Sequence, residues 1–125
     1  MKFQLRRYEE VTSTNDIALE AAQHGAGDGL VVWAERQTRG RGQKNRVWES
    51  QPGSSLTFSV LFKPNEEELG VLGRFTALGG LAVAEALREK TGHEAKIKWP
   101  NDVLLHGRKI CGVWAETDLQ PGKEN

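Results

Sequence analysis

The apolar and polar positions of the 125-residue chain change period several times, and each change marks an element. Phe3 to Glu9 reads as a short opening strand. Ser13 to Asp16 then forms a capping box of the S-x-x-D kind, which predicts a helix to about His24, where Gly25, Gly27 and Gly29 break it. Leu30 to Ala34 (LVVWA) is continuously apolar behind a glycine-rich turn, as in a buried strand. Leu56, Phe58, Val60 and Phe62 alternate with Thr57, Ser59 and Leu61, the period of a strand that Pro64 ends. Residues 35 to 53 are left as one long connection, and connections of that length inside a domain are more often functional than inert.

Beyond Pro64 the period lengthens. From about Glu66 to Thr91, Val71, Phe75, Leu78, Ala82 and Leu87 fall at the spacing of a long core-facing helix, in which Gly79 and Gly80 allow a neighbouring backbone to approach. Ala95 to Trp99 alternates again before Pro100 stops it. Val103 to Leu105 and Ile110 to Ala115 predict two strands joined through His106, Gly107 and Arg108.

Composition bounds what these elements can do. A chain of 125 residues with 38% hydrophobic content is read as one domain with an ordinary core. Seventeen Lys+Arg balance seventeen Asp+Glu, so recognition of an anion has to be local rather than a property of the whole surface. Cys111 has no second cysteine to pair with, and His24, His93 and His106 are too scattered in sequence to resemble a zinc-ligand set. The opening MKFQLRRYEE lacks an apolar run, and no window approaches the roughly 20 apolar residues of a membrane span. The expectation is a soluble, cytoplasmic protein without a membrane partner.

Four segments could carry chemistry, and each also has a plain structural reading. In and just before "TRGRGQKNRVWES" (38–50), Arg36, Arg39, Arg41, Lys44 and Arg46 gather without an acid among them. Gly40 and Gly42 free main-chain N–H groups to turn towards a phosphate or carboxylate. A solvated basic loop, or an RNA contact through Trp48, are the alternatives. "STND" at Ser13 to Asp16 offers a helix start to a ligand, or simple capping. "KWPND" at Lys98 to Asp102 ends a strand with a cation and two polar side chains, or is ordinary turn chemistry. "RKICGVWAE" from Arg108 to Glu116 places Lys109 at a strand mouth and Gly112 inside it, either for close approach of a ligand or as an exposed lysine beside a bulge. Cys111 reads as a small buried apolar residue.

Taken in order, "STND", "QTRGRGQKNRVW", "KWPND" and "RKICGVWAE" resemble the catalytic domain of biotin protein ligases, from Tyr8 to Glu116. The resemblance implies an α+β fold, a mixed β-sheet flanked by helices, similar to the cores of class II aminoacyl-tRNA synthetases. It also implies an ATP- and Mg2+-dependent activation of biotin to biotinyl-5′-AMP, followed by transfer to a lysine of a biotin carboxyl carrier protein. By the same resemblance Ser13, Thr14, Asn15, Gln37, Gly40, Arg41, Gly42, Lys109 and Gly112 would bind biotin. Arg41, Gln43, Trp48, Lys98, Asn101 and Asp102 would bind the nucleotide, Lys109 and Arg41 would be catalytic, and Asp102 would contact the metal. Gly40 to Gln43 would fold as a lid over the adenylate.

Two letters depart from the family pattern: Gln43 stands where many relatives have arginine, and Asn45 where they have glycine. Restoring the charge with Gln43→Arg is expected to slow release of the intermediate. Residues 1 to 125 are read as a partial catalytic domain without the DNA-binding domain or the C-terminal β-barrel of some relatives, with no DNA partner. Self-association through an open sheet edge is expected. The alternative functions are a module that binds biotin or biotinyl-AMP without completing ligation, and a lipoate or octanoate transferase of the same fold.

Overall fold

The computed structural model describes residues 2–41, 53–69, 71, 73–99 and 101–117. The chain divides into two compact units, Met1–Pro64 with Glu116–Asn125, and Asn65–Ala115.

The first unit is a βαβ crossover with one added strand. Strand β1 (Gln4–Val11) leads through helix α1 (Thr14–Gln23) to β2 (Leu30–Gln37), which lies parallel to β1, and β3 (Thr57–Val60) pairs antiparallel with β2. The helix starts where the sequence says it should: Ser13 is extended and its hydroxyl accepts the Asp16 N–H at 3.0 Å. It also ends there. Gly25, at φ 93°, lets its N–H reach Ala22 O and the Ala26 N–H reach Ala21 O, the double bond of a Schellman motif. Ala18, Leu30, Val32 and Leu61 form the core of this unit, with Tyr8, Ile17, Ala21 and Ala22 packed around them.

Two expectations change here. Strand β2 does not stop at Ala34 but continues to Gln37. Its polar end stays in register with β1 through Glu10↔Arg36 and Val11↔Gln37, and Arg36 ion-pairs with Glu10 at 3.3 Å. The connection to β3 therefore starts at Thr38 rather than at residue 35. In β3 the alternation holds, but α1 lies against the side of Ser59 and buried Leu61. Leu56, Phe58 and Phe62 are exposed.

The second unit contains α2 (Glu66–Leu69), α3 (Gly73–Thr91) and an antiparallel sheet of β4 (Lys96–Lys98), β5 (Asp102–Leu105) and β6 (Arg108–Gly112) in sequence order. The single helix expected over 66–91 is two helices. Asn65 and Glu68 cap the first reciprocally, backbone to side chain, at 2.9 and 3.0 Å, and Val71 sits in a turn before the second. Glycines at 70 and 73 make continuation through this stretch costly.

The packing face of α3 also differs from the expected one. Gly79 and Gly80 face Val113 and Val103, and a β-carbon on Gly79 would lie 2.9 Å from a Val113 methyl. The close approach is by side chains, and the helix is centred on its glycines, so Leu78 and Leu81 remain exposed, as does Val71 in the turn before it. His106 and Gly107 form a two-residue turn with positive φ of 52° and 78°, as hairpins of type I′ require. Arg108 thereby belongs to β6, which ends at Gly112 rather than Ala115.

Candidate functional site

In the first unit, the polar residues of the helix start are buried and joined. Ser13 and Thr14 are each 3% exposed. The Thr14 N–H donates to Gln37 Oε1 at 2.7 Å, and the Thr14 hydroxyl lies 2.6 Å from Ser59 Oγ and 3.2 Å from Gln37 Oε1. Ser59 Oγ in turn donates to Asn15 Oδ1, and Asn15 Nδ2 donates to Glu116 at 3.2 Å. Strand β2 had to reach Gln37 for this array to exist.

Of the two readings of "STND", a helix start offered to a ligand and simple capping, the capping is present: the amides of Thr14 and Asp16 have internal partners, and hydrogen-bonding capacity is left to side chains.

Past β2 the chain stays zipped to the β1–α1 connection. Thr38 N–H donates to Val11 O at 2.9 Å and Arg39 N–H to Thr12 O at 2.7 Å, which brings buried Gly40 and then Arg41 to the first turn of α1. There the Arg41 guanidinium donates to Asp16 Oδ1 at 2.6 Å and to both oxygens of Glu116, at 2.9 and 3.2 Å, with its Nε 3.1 Å from the nearer one. The hydrogen bond to Asp16, then that to Glu116, pushes Arg41 above its ordinary pKa against an opposing effect of burial. The same guanidinium holds Asp16 below the usual carboxylate range, again against burial, with help from Thr12 and Ser13. Of the five basic residues read as one anion site, Arg36 and Arg41 are thus met by acids from elsewhere in the chain. That weakens the RNA reading, which needs a basic face.

In the second unit the strand register sets Lys98, Asp102 and Gly112 side by side across β4, β5 and β6. Between Val103 and Leu104 the pairing on β6 jumps from Cys111 to Lys109, which leaves Ile110 as the extra residue of a bulge. Lys109 Nζ lies 2.9 Å from Asp102 Oδ1. That oxygen is buried and has no hydrogen bond of good geometry, so the lysine meets it as an ion pair outside the directional range. Asn101 O accepts the Val113 N–H at 2.8 Å, fixing the strand end beside Gly112. Burial pushes the Cys111 thiol up, partly offset by Lys109, as suits an apolar rather than a reactive role.

The structure thus joins Ser13, Thr14, Asn15, Gln37, Gly40 and Arg41 in one unit, and Lys98, Asn101, Asp102, Lys109 and Gly112 in the other. Gly42, Gln43, Asn45 and Trp48, the rest of the expected lid, lie outside the described residues. His93 and His106 meet edge to edge at 5.4 Å, yet no group of three His, Cys, Asp or Glu among the described residues could hold a metal ion. Among the described residues no helix is long and apolar enough to cross a membrane.

Sequence reasoning passed over two members of this array. Ser59 had a signal, as a polar residue on the side of an alternating strand that carries Leu61. Glu116 had none beyond its place at the end of the fourth segment.

The fold is α+β, with a polar array in each unit, one of amides and hydroxyls closed by an arginine, the other centred on a lysine–aspartate pair. The chain belongs to the Biotin/lipoate A/B protein ligase family, whose pattern matches residues 8–122. It is 37% identical over 113 residues to the bifunctional ligase/repressor BirA of Bacillus subtilis, covering 90% of this chain and 34% of that protein. It is 35% identical to the biotin–[acetyl-CoA-carboxylase] ligase of Mycobacterium tuberculosis, covering 90% of this chain and 44% of that one. The biotin protein ligase of Aquifex aeolicus in complex with biotin and ATP superposes with a TM-score of 0.77 at 38% identity, over 91% of this chain and 47% of that chain. The fold is accordingly that of a biotin ligase catalytic domain, and the chain spans a third to a half of the length of these relatives.

Proposed function

We propose that the chain carries the biotin- and ATP-handling part of a biotin–[acetyl-CoA-carboxylase] ligase. In the first step a biotin carboxylate oxygen bonds to the α-phosphorus of ATP and pyrophosphate leaves, giving biotinyl-5′-AMP. In the second, the neutral ε-amine of a lysine on a biotin carboxyl carrier protein attacks the acyl carbon, AMP leaves and the amine loses a proton. The observation that carries this reading is the hydrogen-bonded set Ser13, Thr14, Asn15 and Gln37. It is an array of donors and acceptors suited to the polar ring of a small, largely apolar ligand.

In this reading Lys109 stabilises negative charge building at the α-phosphate, with Lys98 and Asn101 on the nucleotide side and Gly112 allowing backbone approach to biotin. Arg41 reaches the adenylate by exchanging a carboxylate partner for the ligand. The lid residues Gly40 to Gln43, with Trp48 near the adenosine, exclude water from the activated acyl group.

Magnesium fits only as an ion carried by the nucleotide phosphates. Asp102 is one hard-oxygen donor, as such an ion needs, whereas a resident ion would need more ligands than the described residues bring together. Bound there, it would neutralise phosphate charge. Cytoplasmic location belongs to the same proposal.

The test is incubation of the chain with biotin, ATP and magnesium, followed by mass spectrometry. Biotinyl-AMP and pyrophosphate are expected. Biotin binding without adenylate would replace the ligase reading with a binding module, adenylation of lipoate in preference to biotin would move it to the lipoate branch, and no binding of either would overturn it.

A further inference from the structure

We propose that Glu116 is a positioning residue, whose carboxylate fixes the Arg41 guanidinium and, through Asn15 and Ser59, sets the direction in which the Thr14 hydroxyl faces the ligand. The identity of that ligand rests on the biotin reading above. The positioning itself rests on the hydrogen bonds.

The direction follows from donor and acceptor counting. An ionised carboxylate only accepts, so Asn15 must present Nδ2 to Glu116, and its Oδ1 then faces Ser59. Ser59 has one proton and donates it to that oxygen. The 2.6 Å contact between Ser59 and Thr14 therefore needs the Thr14 proton, and the longer 3.2 Å approach of Thr14 Oγ1 to Gln37 cannot hold that proton as well. Gln37 Oε1 is satisfied by the Thr14 N–H instead, at 2.7 Å. Two consequences follow for a ligand. Thr14 Oγ1 is left as an acceptor, which suits an N–H donor, and Gln37 offers its NH2, which suits a carbonyl. A cyclic urea carries both groups.

Glu116 thus reads out twice. It binds Arg41 through both carboxylate oxygens, a geometry that fixes the plane of the guanidinium, and it excludes the flipped state of the Asn15 amide. A neutral amide in its place has one oxygen and one NH2, and cannot accept from Asn15 and from two guanidinium nitrogens as before.

The experiment compares wild type, Glu116→Gln, Glu116→Asp and Ser59→Ala in adenylate formation, alongside NMR of the ligand-free proteins. Glu116→Gln is expected to raise the KM for biotin by about tenfold, the scale of a hydrogen bond to a charged group, while the KM for ATP changes by less than about twofold. Glu116→Asp, which keeps the charge, recovers part of the loss, and Ser59→Ala shifts the KM for biotin in the same direction. In NMR, wild type is expected to show a slowly exchanging Arg41 Nε–H that Glu116→Gln loses and Glu116→Asp retains. An Arg41 Nε–H indifferent to Glu116, or KM values for biotin and ATP that change equally or not at all, would overturn the proposal. If wild type shows the protected Nε–H and neither binds nor activates biotin, the positioning stands and the biotin reading alone falls.

Discussion

Arg41 sits between two carboxylates, so the cluster it forms with Asp16 and Glu116 carries a net charge of −1 when all three are ionised. An arginine in that setting is a fixed element of the cluster, and an anion from outside would have to displace an acid to reach it. The cluster has a pH signature. Arg41 depresses the Asp16 pKa in the folded state, so its contribution to stability is present above the unfolded-state value of about 3.9 and is lost as pH falls through the lower folded value. Asp16→Asn is therefore expected to flatten the acid limb of the stability curve below about pH 4, with an effect of under about 1 kcal/mol at neutral pH because both partners are partly exposed. Thermal melts of the two proteins from neutral to acid pH measure this, and equal acid limbs would count against the ion pair. Cys111 makes a second residue-scale prediction. With burial raising its pKa, alkylation by iodoacetamide at pH 7 should be slower than that of a free thiol and should accelerate on unfolding.

At the scale of elements, the sequence described what local chemistry decides and missed what packing decides. Helix α1 was readable at both ends because its cap and its terminating glycine act within a few residues of the chain. The end of β2 was not, since Glu35, Arg36 and Gln37 are held in the strand by partners on β1 rather than by burial of their own. The alternation of β3 was readable, but its buried side depends on where α1 lies. In α3 the largest side chains suggested the wrong face, because small residues allow the closest approach. This last point is testable: Gly80→Ala meets only ordinary contact with Val103 at 3.9 Å and should gain up to about 1 kcal/mol of helix propensity. Gly79→Ala must displace a branched Val113 methyl and should be the less stable of the two by about 1–3 kcal/mol. Urea unfolding of both variants decides it; equal stability would show that α3 does not rest on Val113.

For the whole molecule, the balance of seventeen basic and seventeen acidic residues removes general attraction to nucleic acid, and the structure shows how locally the charges are spent. The residue types proposed for the site are readable from four ordered segments, because a motif is a property of the letters alone. The roles of Ser59 and Glu116 were not, because they arise only when β3 and residue 116 meet the start of α1. One unit thus holds an array of neutral donors and acceptors closed by Arg41, and the other a lysine–aspartate pair in line with Lys98 and Gly112.

The most direct measurement is the exchange of labelled pyrophosphate into ATP, which reports the reversible first step without an acceptor protein. Exchange is expected to require biotin, to be abolished in Lys109→Ala and to persist in an exposed-site variant such as Lys90→Ala that melts as wild type does. Exchange that proceeds without biotin, or that survives intact in Lys109→Ala, would contradict the ligase reading.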